Sequence, residues 1–357
     1  MPYELIRYRP DLHEDVAALH ALLLAGDSGL SSAYLQWKYA QNPYIADPLL
    51  YLAVAGTRVV GMRGAYGTRW EAGDGGEFCL PCLSDTVIDP DHRDRGLFAS
   101  LTAFALEDLQ ARGYAYALNL SATSVATLGS LAGGWRGVGR PTTLRRRSAR
   151  EIAVREARLR LRRRRGRGAV PQPFARFDRA TRRAGGDGLD TLLPAEVDSP
   201  ARHGEGSGRV RHVRDAAYFS WRLADPRAGY RLVRAREEHG GGGYLALAGF
   251  SGERHVYVAD WEAADATALQ RLLRSALRQG RFGTAVLRAT GLDDATETAF
   301  RRVGFTDWTE ADAGVCPALL VRPTSESARG ERRWLLGGRD LLDPGTWELR
   351  QLDSDLV

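Results

Sequence analysis

One stretch of this chain occurs twice. Tyr34-Leu-Gln-Trp37-Lys38 returns as Tyr218-Phe-Ser-Trp221-Arg222, with the same aromatic–x–x–Trp–basic spacing and a proline soon after each copy, Pro43 and Pro226. The segments downstream of each copy also repeat in order. Leu50 to Ala55 and Val59 to Gly61 flank a Gly56-Thr57 turn and predict a hairpin. Its later counterpart is Tyr230 to Ala235, a Gly-rich turn at Gly240 to Gly243, and Tyr244 to Ala248. A strand through Asp85-Thr-Val-Ile88 leads to a helix from about Leu97 to Ala111; His255 to Asp260 leads to one from about Thr267 to Arg278. Each half then carries a β-rich run (Tyr114 to Leu120; Thr284 to Ala289), a helix and a Gly-aromatic pair (Gly134-Trp135; Gly304-Phe305). Two units built to one plan predict a duplicated, mixed α/β fold.

Length agrees: 357 residues exceed the size of a typical single domain. The predicted boundaries are 1–144 for the first unit, 145–208 for an Arg-rich helix and linker, 209–323 for the second unit, and 324–357 for a tail that packs onto a domain through Trp334 and Trp347. In the linker, Ile152, Val154, Ala157 and Leu161 form a partial helical stripe, and Ala169 to Gly208, rich in Gly, Pro and Arg, reads as a loose connector. No apolar run approaches the roughly 20 residues of a membrane-spanning helix. The charged N-terminus lacks a signal-peptide core, so a cytoplasmic chain with no membrane partner is expected. Net charge is +6, yet Lys38 is the only lysine and every other basic residue is Arg. An Arg-biased composition makes the run from Arg145 to Arg167 a solvated helix face more readily than a polyanion grip. Three Cys make no disulfide framework, and Cys79-Leu-Pro-Cys82 lacks the second pair a zinc site needs; no metal is expected.

The chemistry-bearing segment is Val87-Ile-Asp-Pro-Asp-His-Arg93-Asp94-Arg95-Gly96-Leu97-Phe98, where a strand meets a helix. Two guanidiniums, a glycine that lets backbone approach a ligand, and the free N–H groups of a helix start together make an anion site. Here the sequence resembles the GNAT N-acyltransferase superfamily, whose signature is strand, Arg/Gln-x-x-Gly-x-Gly/Ala, helix. Arg93, Gly96 and Phe98 stand at the marked positions, Phe98 replacing the usual small residue. The resemblance covers about Tyr3 to Arg140. The second half, about Arg209 to Arg322, resembles a GNAT unit whose loop has degenerated, since Asp260-Trp-Glu-Ala-Ala-Asp265 reaches its helix with no Arg–Gly element.

The resemblance implies two tandem GNAT-like domains, each a central mixed sheet flanked by helices. It implies an acyl-CoA co-substrate, most simply acetyl-CoA, and N-acyl transfer to the amine of a small molecule, sugar or peptide. Thr86, Val87 and Ile88 would contact the pantetheine or thioester; Arg93, Asp94, Arg95, Gly96, Leu97 and Phe98 would hold the diphosphate; Asn119 and Thr123, with Ser121 nearby, would bind pantetheine amides, the alternative being that Ser121 or Thr123 only caps the following helix. A base is expected on the strand before the loop, among Cys82, Ser84 and Asp85. Alternation puts Cys82 and Ser84 on one face and Asp85 on the other, a register that a bulge would shift. Asp85 is the only carboxylate of the three and the chosen base; Asp260 is its duplicate and would line the same cleft from the other half. The family's acid, a Tyr four residues before the Gly-aromatic pair, is replaced by Ser130 and Phe300. Two other functions share this fold. One is a Fem-like aminoacyl-tRNA-dependent transferase that grips tRNA with the Arg helix, making nucleic acid a partner. The other is a non-catalytic acyl-CoA-binding protein. Trp37 and Trp221 are expected to anchor a helix to its sheet.

Overall fold

The hairpins and the strand–helix segments foreseen in the repeat assemble into a sheet of sixteen strands in the computed structural model. The structure describes residues 2–72, 76–120, 124–164, 174, 177–178, 189–197, 209–235, 243–250, 255–308, 318–325 and 334–354. The first unit runs β1 (Glu4–Arg7), α1 (His13–His20), α2 (Ser28–Leu35), β2 (Leu49–Ala55), β3 (Arg58–Ala72), β4 (Glu77–Ile88), α3 (Leu97–Ala111), β5 (Tyr116–Asn119), α4 (Ser124–Ala132), β6 (Arg136–Val138) and β7 (Thr142–Arg147). A π-helical turn, Gln36–Ala40, extends α2 and carries Trp37 and Lys38. Strands β1 to β4 are antiparallel neighbours, and β5 lies parallel to β4, which requires the α3 crossover. In α3, Leu97, Leu101, Ala105 and Leu109 recur every four residues and are buried against Leu83, Ala117 and Trp135. The opposite face of the sheet packs Met62, Tyr66 and Leu80 under Tyr34 and Trp37.

After α5 (Ala149–Arg164), β8 (Leu189–Thr191) and β9 (Val210–His212), the second unit repeats the order found from α2 onward as α6 (Ala216–Arg222), β10 (Ala228–Ala235), β11 (Tyr244–Phe250), β12 (Val256–Glu262), α7 (Ala266–Gly280), β13 (Thr284–Thr290), α8 (Asp294–Arg302), β14 (Thr306–Asp307) and β15 (Leu319–Pro323). A small hairpin, β16 (Leu335–Leu336) and β17 (Arg339–Asp340), precedes β18 (Trp347–Arg350).

The units exchange their last strands. β7 leaves the first unit and pairs antiparallel with β13, from Thr284↔Arg147 to Ala289↔Thr142, and with β14. In return β15 lies between β5 and β6. Each sheet is therefore completed by the other half of the chain. β9 adds a second seam, pairing antiparallel with β3 and parallel with β18.

Trp37 and Trp221 meet across the units rather than within one. Their rings stack at 5.3 Å and 14°, Trp37 Nε1 donates to the Trp221 carbonyl at 2.6 Å, and Trp221 Nε1 donates back to the Trp37 carbonyl at 2.9 Å. A reciprocal pair of this kind marks a pseudo-twofold axis, which corrects the expected helix-to-sheet anchoring. The expected apolar stripe of α5 is also corrected. Val154 and Leu161 are exposed, whereas Ile152 comes against the second unit beside Gly283. Two aromatic residues of the linker join the second core: Phe174 and Phe177 pack on Phe282, and β8 pairs with β10. Most of the remaining linker lies outside the described residues.

Candidate active site

At the end of β4 the chain makes a 3-10 turn, Pro90–His92, in which Asp89 accepts from the Asp91 amide at 3.0 Å and from Arg58 at 3.3 Å. Asp94 (φ +59°) and Gly96 (φ +74°) then turn the backbone into α3. Gly96 is the N-cap, no side chain caps the helix among the described residues, and a Cβ at Gly96 would meet nothing within 4 Å. The first-turn amides and the positive end of a fifteen-residue helix thus face open space. Arg93 and Arg95 are exposed beside them, Arg95 steadied by the Asp91 carbonyl at 3.0 Å and Tyr3 Oη at 3.3 Å. Leu97 is buried and roots the helix. This cradle fits a diphosphate.

Next to the cradle the sheet opens. β4 pairs with β5 at one position, Cys82↔Leu118, and continues to Ile88 without it. Thr86, Val87 and Ile88 all lie on the splayed part, Val87 and Ile88 held by Met62 and Gly61 of β3. Between Ser84↔Gly64 and Val87↔Met62, two residues of β4 oppose one of β3, a β-bulge at Asp85 and Thr86. Asp85 takes φ +47° there, a left-handed conformation that costs on the order of 1–3 kcal/mol in a non-glycine residue. The bulge overturns simple alternation. Ser84 and Asp85 now face the same way, and both are reached by one ammonium group.

That ammonium is Lys38, 1% exposed. Its Nζ donates to Asp85 Oδ2 at 2.7 Å, Ser84 Oγ at 2.8 Å and Tyr34 Oη at 2.8 Å, and lies 4.9 Å from the Tyr66 ring centroid. Tyr39 Oη donates to the same Asp85 Oδ2 at 2.6 Å. Tyr39 can come so close because β3 has glycine at position 64, where a Cβ would sit 2.0 Å from the Tyr39 hydroxyl. Asp85 Oδ1, by contrast, has only longer contacts, 3.3 Å to Ser84 and 3.4 Å to Tyr34. The carboxylate is anchored mainly through Oδ2, its other oxygen receiving the two longer contacts.

On the opposite face of β3, Arg63 is also buried. Nη1 donates to Thr86 Oγ1 at 2.6 Å, and the guanidinium lies 5.1 Å from the Phe98 ring centroid. Phe98 in turn reaches α4, its ring 3.2 Å from where a Gly129 Cβ would be. The residue that departs from the small-residue pattern therefore spans the two helices beside the opening.

The duplicated half treats the same place differently. β12 pairs with β13 from Val256↔Ala285 to Val258↔Leu287 and then diverges, with a bulge of its own before Asp260. Into that gap comes β18, bonded to β13 at Ala289↔Arg350 and Thr290↔Leu349. Asp260, fully buried, accepts from Arg214 Nε at 3.0 Å, Arg350 Nη1 at 2.8 Å and Tyr244 Oη at 3.0 Å. Burial pushes its carboxyl up, but the two guanidiniums outweigh that and hold it below the usual carboxylate range. Asp260 is sealed inside the second unit and does not line a cleft shared with Asp85. Arg222, the counterpart of Lys38, also turns to the tail, donating to the Leu352 carbonyl at 2.8 Å and the Ser354 carbonyl at 2.6 Å.

Among the other sequence candidates, Ser130 is buried on α4 and Asn119 is buried on β5, opposite Leu320 of the exchanged strand. Ser121 and Thr123 lie outside the described residues. Cys79 is exposed and Cys82 buried, on one strand. Among the described residues no cluster of His, Cys, Asp or Glu could hold a metal ion, and no single helix is long and apolar enough to cross a membrane. Lys38, Tyr34, Tyr39 and Arg63 escaped the sequence reading. The one available signal was that Lys38 is the sole lysine of the chain, placed within the repeated motif.

No family model and no curated protein matches the sequence. Solved structures do. A GCN5-related N-acetyltransferase from Anabaena variabilis aligns with TM-score 0.58 at 11% identity, over 91% of this chain and 73% of that one. A GCN5-related N-acetyltransferase from Kribbella flavida gives 0.53 at 13%, over 90% and 71%. A tandem GNAT protein from the clavulanic acid biosynthesis pathway gives 0.51 at 13%, over 91% and 99%. At such identities the likeness is one of fold.

Proposed function

We propose that this chain, whose fold is that of the tandem GNAT proteins, is an acyl-CoA-dependent N-acyltransferase with its donor site in the first unit. The observation that carries this reading is the opening of β4 from β5 directly beside an uncapped, glycine-started α3. The amides of Leu97 and Phe98, with Arg93 and Arg95, would hold the diphosphate of coenzyme A; the free edge of β4 at Thr86 to Ile88 would hold its pantetheine. Coenzyme A supplies the activated thioester. The reaction forms a C–N bond to the acceptor amine, breaks the C–S bond and releases the thiol.

Asp85 would receive the acceptor. Oδ2 is fixed by Lys38 and Tyr39, while Oδ1 is available to meet an ammonium group and take its proton. Lys38 holds the carboxylate in its orientation, the work of a positioning residue. Acceptors are amines of small molecules, sugars or peptides.

Titration calorimetry with coenzyme A tests the assignment. Removing the Arg93 charge (Arg93→Ala) is expected to weaken binding about ten-fold, as for loss of one charge-assisted hydrogen bond. Gly96→Val, which forces a β-branched residue to positive φ, should weaken it at least as much. Asp85→Asn should keep donor affinity and slow turnover. Unchanged affinity in both loop variants would overturn the donor site; full turnover in Asp85→Asn would remove Asp85 from the chemistry.

A further inference from the structure

We propose that Arg63 is a carboxylate receptor within the donor site, and that the acyl group transferred is a ω-carboxyacyl group of the malonyl or succinyl kind rather than acetyl. The inference rests on the acyl-CoA reading above and names the donor class.

Arg63 is 1% exposed, yet two of its three guanidinium nitrogens, Nε and Nη2, have no hydrogen-bond partner among the described residues. Other buried guanidiniums of this chain are paired with carboxylates: Arg214 with Asp260 and Asp353, Arg222 with Asp225, Arg350 with Asp260. Burial draws the Arg63 guanidinium down to about 10, opposed by Tyr39 and Cys82, neither of them a carboxylate. An unpaired buried cation is costly, and an anion that completes it recovers that cost.

The unpaired atoms also have a definite shape. Nε and Nη2 are neighbours on one edge of the guanidinium, the pair that grips a carboxylate side-on through two parallel N–H···O bonds. The third nitrogen, Nη1, is fixed to Thr86 Oγ1 at 2.6 Å, so the fork cannot swing freely. Its surroundings place it on the donor's path: Thr86 belongs to the splayed end of β4, Phe98 to the first turn of α3, and Phe98 bridges to Gly129 of α4. The acceptor side is elsewhere, because Lys38 and Asp85 lie across the sheet with Tyr39. The diphosphate cradle is also separate, since Arg93 and Arg95 are exposed at the loop and Arg63 is enclosed behind Phe98. A negative group on the far end of the acyl chain would complete the unpaired edge of this enclosed guanidinium.

Calorimetry on the full chain without any acceptor isolates the donor. Malonyl-CoA is compared with isovaleryl-CoA, succinyl-CoA with 4-methylpentanoyl-CoA, and free coenzyme A serves as reference. Each pair has the same outline and differs in one negative charge. At least one carboxylated ester is expected to bind ten-fold or more tighter than its neutral partner, the effect of a charge-assisted bidentate bond. In Arg63→Met that ratio should fall to about one, with free coenzyme A bound within a few-fold of its original affinity; Arg63→Lys should retain part of the ratio. Because each ratio is taken within one protein, a loss of folded material cancels. If coenzyme A binds but neither pair discriminates, or if the ratio survives Arg63→Met, the carboxylate receptor is wrong and the acyl-CoA reading stands. If neither coenzyme A nor any ester binds, both fall.

Discussion

In the first unit β4 leaves β5 after Cys82↔Leu118 and no described strand enters the space; in the second, β12 leaves β13 after Val258↔Leu287 and β18 fills it. The bulge is present in both, before Asp260 as well as at Asp85. What differs is the fate of the carboxylate. Asp85 is held tightly at Oδ2 and only by longer contacts at Oδ1 among the described residues, whereas Asp260 is bonded by two guanidiniums and a phenol. The repeated Trp-basic motif diverges in the same sense, Lys38 reaching toward its own bulge and Arg222 toward the tail. Duplication here preserves the frame and the strand exchange that locks it, while one cleft is converted into core.

The widest gap between the halves should open when the plug is loosened. Trp347, fully buried on β18 against Trp70, is expected to cost about 3–5 kcal/mol on Trp347→Ala, read by denaturant unfolding. If that variant lost less than about 1 kcal/mol, β18 would be a surface dressing and the comparison would fail.

A buried ion pair gives the next effect. Lys38→Met leaves Asp85 without its cation and should cost about 3 kcal/mol, while Lys38→Met combined with Asp85→Asn should regain most of it. Additive losses in this cycle would show that the pair is not coupled, and that the two carboxylates differ less than their contacts indicate.

The smallest effect concerns the seam. His212, on β9 between the halves, is held well below 6.5 by burial and by Arg214, with Asp260 and Arg222 also acting on it. The unfolded chain then binds the proton more readily than the folded one. Stability is full above about pH 6.5 and falls as pH drops below it, by at most about 1.4 kcal/mol per pH unit from this group. Urea melts from pH 7.5 to 5 should show that slope, and His212→Phe should flatten it. A slope unchanged in the variant would move the titrating group elsewhere.

Much of the frame was legible in the residues. The spacing of Tyr34, Trp37 and Lys38 against Tyr218, Trp221 and Arg222 gave the duplication, and periodicity placed α3 at Leu97–Ala111. The strand exchange was not legible, because β7 and β15 carry ordinary strand patterns that fit either sheet edge. Asp85 was singled out as a carboxylate on a strand, but its orientation depends on one bulge, which shifts every side-chain direction after it and leaves little trace in composition. Arg63 was hidden for a different reason. In a chain whose basic residues are nearly all Arg, one guanidinium gains notice only through what surrounds it.

Hydrogen exchange of the full chain with and without coenzyme A, resolved by peptide, asks the central question most directly. A single open cleft predicts added protection over residues 86–98 and none over 256–266, the corresponding stretch of the second unit. Protection at the second stretch, or at neither, would contradict it.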